Sequence, residues 1–139
     1  KRKVNYATKQ ANGMNCKTIT ILSRKVGVGK TFVTVNIATS LAMSGAKVLI
    51  LDLDFQAGHD MARMFNISPR FAMTDVFPEL DKEEEEGLVS RFASQHQSGL
   101  FFMPAAKNSK QITHITPESI ALFLDRAQKN LPIIKLLFF

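Results

Sequence analysis

The sequence has very few of the residues that cross-link a chain or anchor it in a membrane. It contains one cysteine, Cys16, one tyrosine and no tryptophan among 139 residues. A single cysteine forms no internal disulfide, and no Cys/His cluster has the spacing of metal ligands, so disulfide-framed and zinc-ribbon folds are excluded. The longest apolar runs, VLIL and IIKLLFF, are too short to span a bilayer, and no tripartite signal opens the chain. We expect a cytoplasmic protein.

Acidic residues are missing from the first 30 positions, which hold eight of the 18 lysines and arginines. The remainder is slightly acidic, although the formal net charge is +6. An apolar fraction of 45% is typical of one globular domain of this length. We therefore interpret residues 1–16 as a flexible basic lead-in or linker and residues 17–139 as the folded domain. The basic end would also be attracted weakly to nucleic acid or to the anionic surface of the inner membrane.

Residues 17–54 predict a strand, a glycine-rich loop, a helix and a second strand. KTITIL, residues 17–22, is β-branched, and KVLILDLD, residues 47–54, is the continuous apolar run of a strand buried on both faces. Between them, residues 30–45 have helical periodicity and end at Gly45. The predicted core face of this helix contains Val33, Val35, Ile37, Ala38 and Leu41. This order is a βαβ unit with a right-handed crossover.

The second half continues the alternation of helices and strands. Helices are predicted over 59–65, 78–95 and 116–130, and strands over 99–105 and 132–139. Thr116 is expected to cap its helix, and Met61, Met64 and Phe65 are expected in the core. The pattern predicts an α/β fold, a three-layer sandwich with a mainly parallel sheet. The sheet is expected to be incomplete at the C-terminus, with Phe138 and Phe139 at an exposed edge that favours self-association.

The stretch SRKVGVGKT, Ser23 to Thr31, predicts a phosphate-binding loop. It departs from G-x-x-x-x-G-K-[ST] only at the first position, where Arg24 stands. A loop between a strand and a helix N-terminus presents several backbone N–H groups to one anion. Glycines let the backbone approach phosphate, Lys30 adds a charge for the outer phosphates, and Thr31 offers a hydroxyl to Mg²⁺. The predicted nucleotide-contacting set is Gly27, Val28, Gly29, Lys30, Thr31 and Phe32.

The loop and its flanks resemble the ParA/MinD superfamily of deviant Walker ATPases. KVGVGKT is similar to that superfamily's KGGVGKT, and VNIATSLAMSGAKVLILDLDFQ continues the likeness through Asn36 to about Gly58. The stretch HQSGLFFMPAAKNS resembles, less specifically, the CpaE/TadZ-like branch that localises pilus and Tad secretion machinery. The likeness is to the N-terminal half of such an ATPase.

The resemblance implies ATP and Mg²⁺ as ligands and assigns roles to individual residues. Lys25 corresponds to the signature lysine that reaches the partner's nucleotide across a homodimer. Asp54 corresponds to the acid that positions the attacking water, and Asp52, with Thr31, to the magnesium site. Lys25, Lys30 and Asp54 are thus the expected catalytic residues. The implied function is a nucleotide-dependent dimerisation switch, with ATP and ADP as ligands and with protein partners in spatial positioning of pilus or secretion machinery, the division site or DNA.

Two departures from the superfamily pattern weaken this expectation. Val26 replaces a glycine where backbones pack closely in the dimer, and the strand after the 116–130 helix carries no acid for the magnesium water. A fragment, a truncated gene product and a degenerate relative all remain open. So does a nucleotide-binding or scaffolding module without turnover. A bacterial tyrosine kinase, whose loop helix is similar, is the third alternative, although Tyr6 is the only tyrosine.

Replacing Val26 by glycine tests whether its side chain hinders dimerisation. We expect Val26→Gly to raise the ATP-dependent dimer fraction in light scattering, because two methyl groups leave the close backbone contact. An unchanged dimer fraction would show that Val26 does not limit dimerisation.

Overall fold

The computed structural model describes residues 17–25, 27–55, 60–82, 87–128 and 133–138. The lead-in predicted for residues 1–16 lies outside these ranges, as do Val26 and His59. Within them, five strands are present: β1 Thr18–Ile21, β2 Lys47–Asp52, β3 Ser94–Gln95, β4 Phe101–Pro104 and β5 Ile133–Phe138. The α-helices are α1 Lys30–Met43, α2 Asp60–Met64, α3 Met73–Val76, α4 Leu88–Phe92 and α5 Pro117–Gln128, with 3-10 turns at Phe77–Glu79 and Ser109–His114.

The strands form one sheet in the order β1-β5-β2-β4-β3. The first four are parallel, and only the two-residue β3 pairs antiparallel, with β4. The last strand along the chain is therefore inserted between β1 and β2. Ile21, Phe138 and Asp52 lie at one level in this register. The expectation that residues 138 and 139 form an open edge is wrong for Phe138, because β5 is hydrogen-bonded on both sides.

Apolar cores cover both faces of the sheet, which confirms the three-layer α/β architecture. Leu49, Leu51 and Leu53 point to one face, where they pack with α3, α4 and α5. Val48 and Ile50 point to the other, where they pack with α1 and α2. This alternation along β2 explains why the strand is apolar throughout, as strands covered on both sides must be.

Helix α1 packs on the sheet through its small side chains. Thr34 and Ala38 are fully buried, whereas Val33 and Ile37 remain 47% and 40% exposed. The predicted core face is confirmed for Val35, Ala38 and Leu41 and wrong for Val33 and Ile37, because α1 is apolar on several sides and periodicity alone does not select the one that allows close approach. Gly45 ends the helix as predicted, at φ 93°, with its N–H bonded to the Ala42 carbonyl.

The second half follows the prediction at α5 and departs from it between residues 78 and 95. Thr116 and Ser119 cap α5 reciprocally: Ser119 N–H donates to Thr116 Oγ1 at 3.1 Å and Thr116 N–H donates to Ser119 Oγ at 2.9 Å. The continuous helix expected over 78–95 is wrong, because Gly87, at φ 84°, starts the short α4 and Ser94 already belongs to β3. Met61 and Phe65 are buried as predicted, but Met64 is 48% exposed. Among the described residues, no helix is long and apolar enough to cross a membrane.

Candidate nucleotide-binding site

The glycine-rich loop leaves β1 and ends in the first turn of α1. Gly27 and Gly29 have φ values of 78° and 88°, in the left-handed region that favours glycine. Gly29 is the residue at which α1 begins, and its carbonyl accepts the N–H of Val33 at 2.9 Å. A Cβ added at either glycine would lie in open space. The requirement for glycine here therefore comes from the backbone conformation and not from crowding.

The first turn of α1 lacks the usual neutralisation of a helix N-terminus. No described side chain caps it, and the turn contains no acidic residue. The first N–H groups of a helix have no intrahelical acceptor and carry a partial positive charge. An anion placed at this end would accept hydrogen bonds from those N–H groups, as phosphates do at other helix N-termini.

Lys30 and Thr31 occupy the first two positions of α1, where both are half-buried. Val28 and Phe32 beside them are 52% and 63% exposed. The structure therefore brings the whole predicted set, 27–32, together in one loop and one helical turn. Within that turn, Thr34 Oγ1 donates to the Lys30 carbonyl at 2.8 Å, which keeps a buried hydroxyl satisfied.

Asp52 is the last residue of β2 and Asp54 follows two positions later, at the carboxyl end of the strand. Asp52 is 7% exposed and Asp54 is half-buried. Asp52 Oδ1 accepts the N–H of Asp54 at 3.1 Å, so the first carboxylate shapes the turn that presents the second. The register places Asp52 two strands from Ile21, or about 10 Å at ordinary strand spacing. Asp52 thus lies at the same level of the sheet as the end of β1, from which the loop leaves.

The donor set fits Mg²⁺. The described residues contain no group of three or more His, Cys, Asp or Glu side chains arranged to hold a metal ion. Mg²⁺ in phosphate-transfer sites takes only one or two protein oxygens and completes its shell with phosphate and water oxygens. The Thr31 hydroxyl and the Asp52 carboxylate offer oxygen atoms of the type that Mg²⁺ prefers.

Two contributions to the loop were not apparent in the sequence analysis. Ser23 Oγ accepts the N–H of Lys25 at 3.0 Å and donates to its carbonyl at 3.2 Å, which fixes the turn that carries the exposed Lys25. A serine two residues before the lysine is the sequence signal for such a turn. Asn36 Nδ2 donates to the Phe32 carbonyl at 2.8 Å, so this family-matching residue braces α1 just after the loop.

A parallel sheet with a glycine-rich loop feeding a helix, and with acids at the end of the next strand along the chain, defines a P-loop NTPase domain. Residues 15–129 match the ParA family described as NUBPL iron-transfer P-loop NTPase. The chain belongs to this family, which confirms the resemblance to the ParA/MinD superfamily.

Individual relatives agree with the family. The antiactivator FleN of Pseudomonas aeruginosa is 28% identical over 110 residues, which are 78% of this chain and 37% of FleN. An iron-sulfur cluster carrier protein of Methanocaldococcus jannaschii is 41% identical over 68 residues, which are 47% of this chain and 23% of the carrier. The chain thus spans well under half of the length of either relative.

Solved structures share the fold over most of this chain. A ParA family ATPase from Chlorobium tepidum has a TM-score of 0.72 at 22% identity, covering 89% of this chain and 52% of its own. A cobyrinic acid a,c-diamide synthase from Mycobacterium smegmatis, with bound ATP analog and magnesium, has a TM-score of 0.62 at 18% identity, covering 87% and 50%. Both show the fold of this chain as about half of a larger one.

Substituting Gly29 separates phosphate binding from stability. Gly29→Ala forces a Cβ into the left-handed region, at a cost of about 1–2 kcal/mol, and tilts the N–H groups that face a phosphate. We expect Mg-ATP affinity to fall by about tenfold or more, equivalent to about 1.4 kcal/mol, in isothermal calorimetry.

Gly99→Ala is the matched control. Gly99 also has a positive φ, 91°, with open space around its Cβ position, but it lies in the turn before β4. It should lose similar stability in urea unfolding and keep its nucleotide affinity. Equal affinity losses in both variants would show that the loop geometry plays no part in binding.

Proposed function

We propose that this chain is the ATP-binding part of a ParA/MinD-type switch, in which Mg-ATP binding changes association with a second copy and with partner proteins. The observation that supports this most strongly is the loop itself, with two left-handed glycines leading into an uncapped helix start. An anion such as phosphate binds at a helix N-terminus of this kind, because the first N–H groups of a helix have no intrahelical acceptor. The solved neighbour with ATP analog and magnesium has the same fold.

The roles of the residues follow from where they lie. The N–H groups from Gly27 to Phe32 would receive the phosphates, and Lys30 would neutralise charge on the outer ones. Thr31 and Asp52 would hold Mg²⁺, which when bound would neutralise the phosphate oxygens. Asp54 lies two residues after Asp52 and is half-buried, and it would orient the attacking water. Phosphoryl transfer needs mainly such positioning and charge neutralisation.

Turnover is expected to be slow. β5 reads IIKLLF, and its Phe138 stands at the level of Asp52 between the two strands that carry the site. No acid is therefore present at the end of the central described strand. Binding and release of nucleotide, with slow hydrolysis, suits a switch better than a fast enzyme. The same observation supports the second candidate, a nucleotide-binding scaffold without turnover.

Exposed Lys25 supports a homodimer in which that side chain reaches the partner's nucleotide. We propose cytoplasmic protein partners of a positioning system, of the pilus and secretion kind, with any DNA or membrane contact made by the basic residues 1–16. Iron-sulfur cluster carriage is the role in the name of one relative, which the chain matches over 23% of that relative's length.

Removing the Asp54 carboxylate tests hydrolysis apart from binding. We expect Asp54→Asn to lower Mg-ATP-dependent phosphate release by roughly a hundredfold, the usual size of a lost catalytic acid or base, while nucleotide affinity stays within about twofold. Phosphate release in a coupled assay and calorimetric affinity give the two readings.

Asp60→Asn is the control, because Asp60 is an exposed acid that pairs with Arg63 on α2. Equal phosphate release from the parent, Asp54→Asn and Asp60→Asn would exclude Asp54 as the hydrolytic acid and favour the scaffold.

A further inference from the structure

Thr34 is fully buried although its side chain is polar. In the part of the chain that the structure describes, Thr34 and Asp52 are the two polar or charged residues that are buried, and Thr34 is 0% exposed. It lies in α1, which packs against β2 and β5. Valine has nearly the same shape as threonine and buries no hydroxyl, so the packing of α1 on the sheet does not by itself require a threonine here.

The Thr34 hydroxyl makes its contact within the helix. Oγ1 donates to the Lys30 carbonyl at 2.8 Å. In an α-helix the same carbonyl also accepts the backbone N–H four residues later, and its oxygen has two lone pairs for the two donors. The position of this oxygen is therefore held by one hydrogen bond more than the helix alone provides.

The additional hydrogen bond also acts on the backbone N–H of Thr31. The Lys30 carbonyl and the Thr31 N–H belong to one planar peptide group, so a bond that holds the oxygen also holds the direction of the N–H. Donation to the carbonyl polarises the peptide group and makes its N–H a stronger donor. Thr31 is the second residue of α1, so its N–H has no intrahelical acceptor and is one of the groups that an anion at the helix start would contact.

A second contact of the same kind in α1 reaches a peptide group whose N–H is already bonded. Asn36 Nδ2 donates to the Phe32 carbonyl at 2.8 Å. That carbonyl shares its peptide group with the N–H of Val33, which donates to the Gly29 carbonyl at 2.9 Å. Asn36 therefore supports a bond inside the helix, whereas Thr34 acts on an N–H that has no acceptor within the helix.

We propose that Thr34 is a positioning residue for the phosphate site and acts through the peptide group between Lys30 and Thr31. Its hydroxyl orients and polarises the Thr31 N–H, which then donates to a phosphate oxygen of Mg-ATP. Thr34 is itself fully buried, so its effect on the nucleotide passes only through this peptide group. The inference rests on the proposed function, because it assigns the Thr31 N–H to the phosphates.

Two substitutions of Thr34 separate positioning from packing. Thr34→Val keeps the shape and removes the hydroxyl, so we expect Mg-ATP affinity in isothermal calorimetry to fall by about fivefold, the size of one ordinary hydrogen bond. Its free energy of unfolding in urea should change little, because the Lys30 carbonyl keeps its helical bond. Thr34→Ser removes a buried methyl group and keeps the hydroxyl. It should lose stability but bind Mg-ATP within about twofold of the parent.

Ala38→Gly is the matched control, because Ala38 is the other fully buried residue of α1 and lies one turn further along the same face. It should lose stability and keep its nucleotide affinity. Equal affinity in the parent and Thr34→Val would overturn the positioning role and leave the proposed function standing. An affinity that falls in step with stability across the three variants would also overturn it. A folded parent that does not bind Mg-ATP would overturn both the proposed function and this inference.

Discussion

The insertion of β5 between β1 and β2 is the constraint on which the rest of the structure depends. Its parallel pairing with both strands fixes Ile21 and Asp52 at one level of the sheet, although 30 positions of sequence separate them. The phosphate loop and the two acids meet at one edge only because of this pairing. Among the described residues, the same insertion leaves β1 as the first strand of the sheet order.

The packing of α1 connects the loop to this sheet. Thr34 and Ala38 are small and buried, so they allow α1 to lie close to β2 and β5. Left-handed Gly29 turns the chain sharply enough for Lys30 to open the helix without a side-chain cap. Small residues in the helix and glycines in the loop thus act together. No described side chain caps the first turn of α1, so an anion at this end would accept hydrogen bonds from its N–H groups.

The local parts of this arrangement were predictable from sequence, and the non-local parts were not. The strand, helix and strand of residues 17–54 and the Thr116 cap depend mainly on nearby residues, and the structure confirms them. The place of β5 in the sheet depends on pairing between segments more than 80 residues apart, so an apolar run could not reveal that Phe138 lies inside the sheet. Met64 and Val33 were misplaced for a related reason: helical spacing shows which residues share a face, but the neighbouring elements decide which face is covered. The start of α4 differs, because its signal is local. Gly87 separates an acidic run from an apolar run, and a glycine in that position indicates a helix boundary.

Mg-ATP titration of the 139-residue chain by calorimetry tests directly whether the loop binds nucleotide phosphate. Lys30→Ala is the comparison. Circular dichroism and urea unfolding would first establish that both proteins are folded. We expect a saturable, Mg²⁺-dependent binding heat in the parent that Lys30→Ala removes, because the charge that neutralises the outer phosphates is lost. A folded parent without binding, or a Lys30→Ala chain that binds as tightly as the parent, would show that the loop is not a nucleotide site.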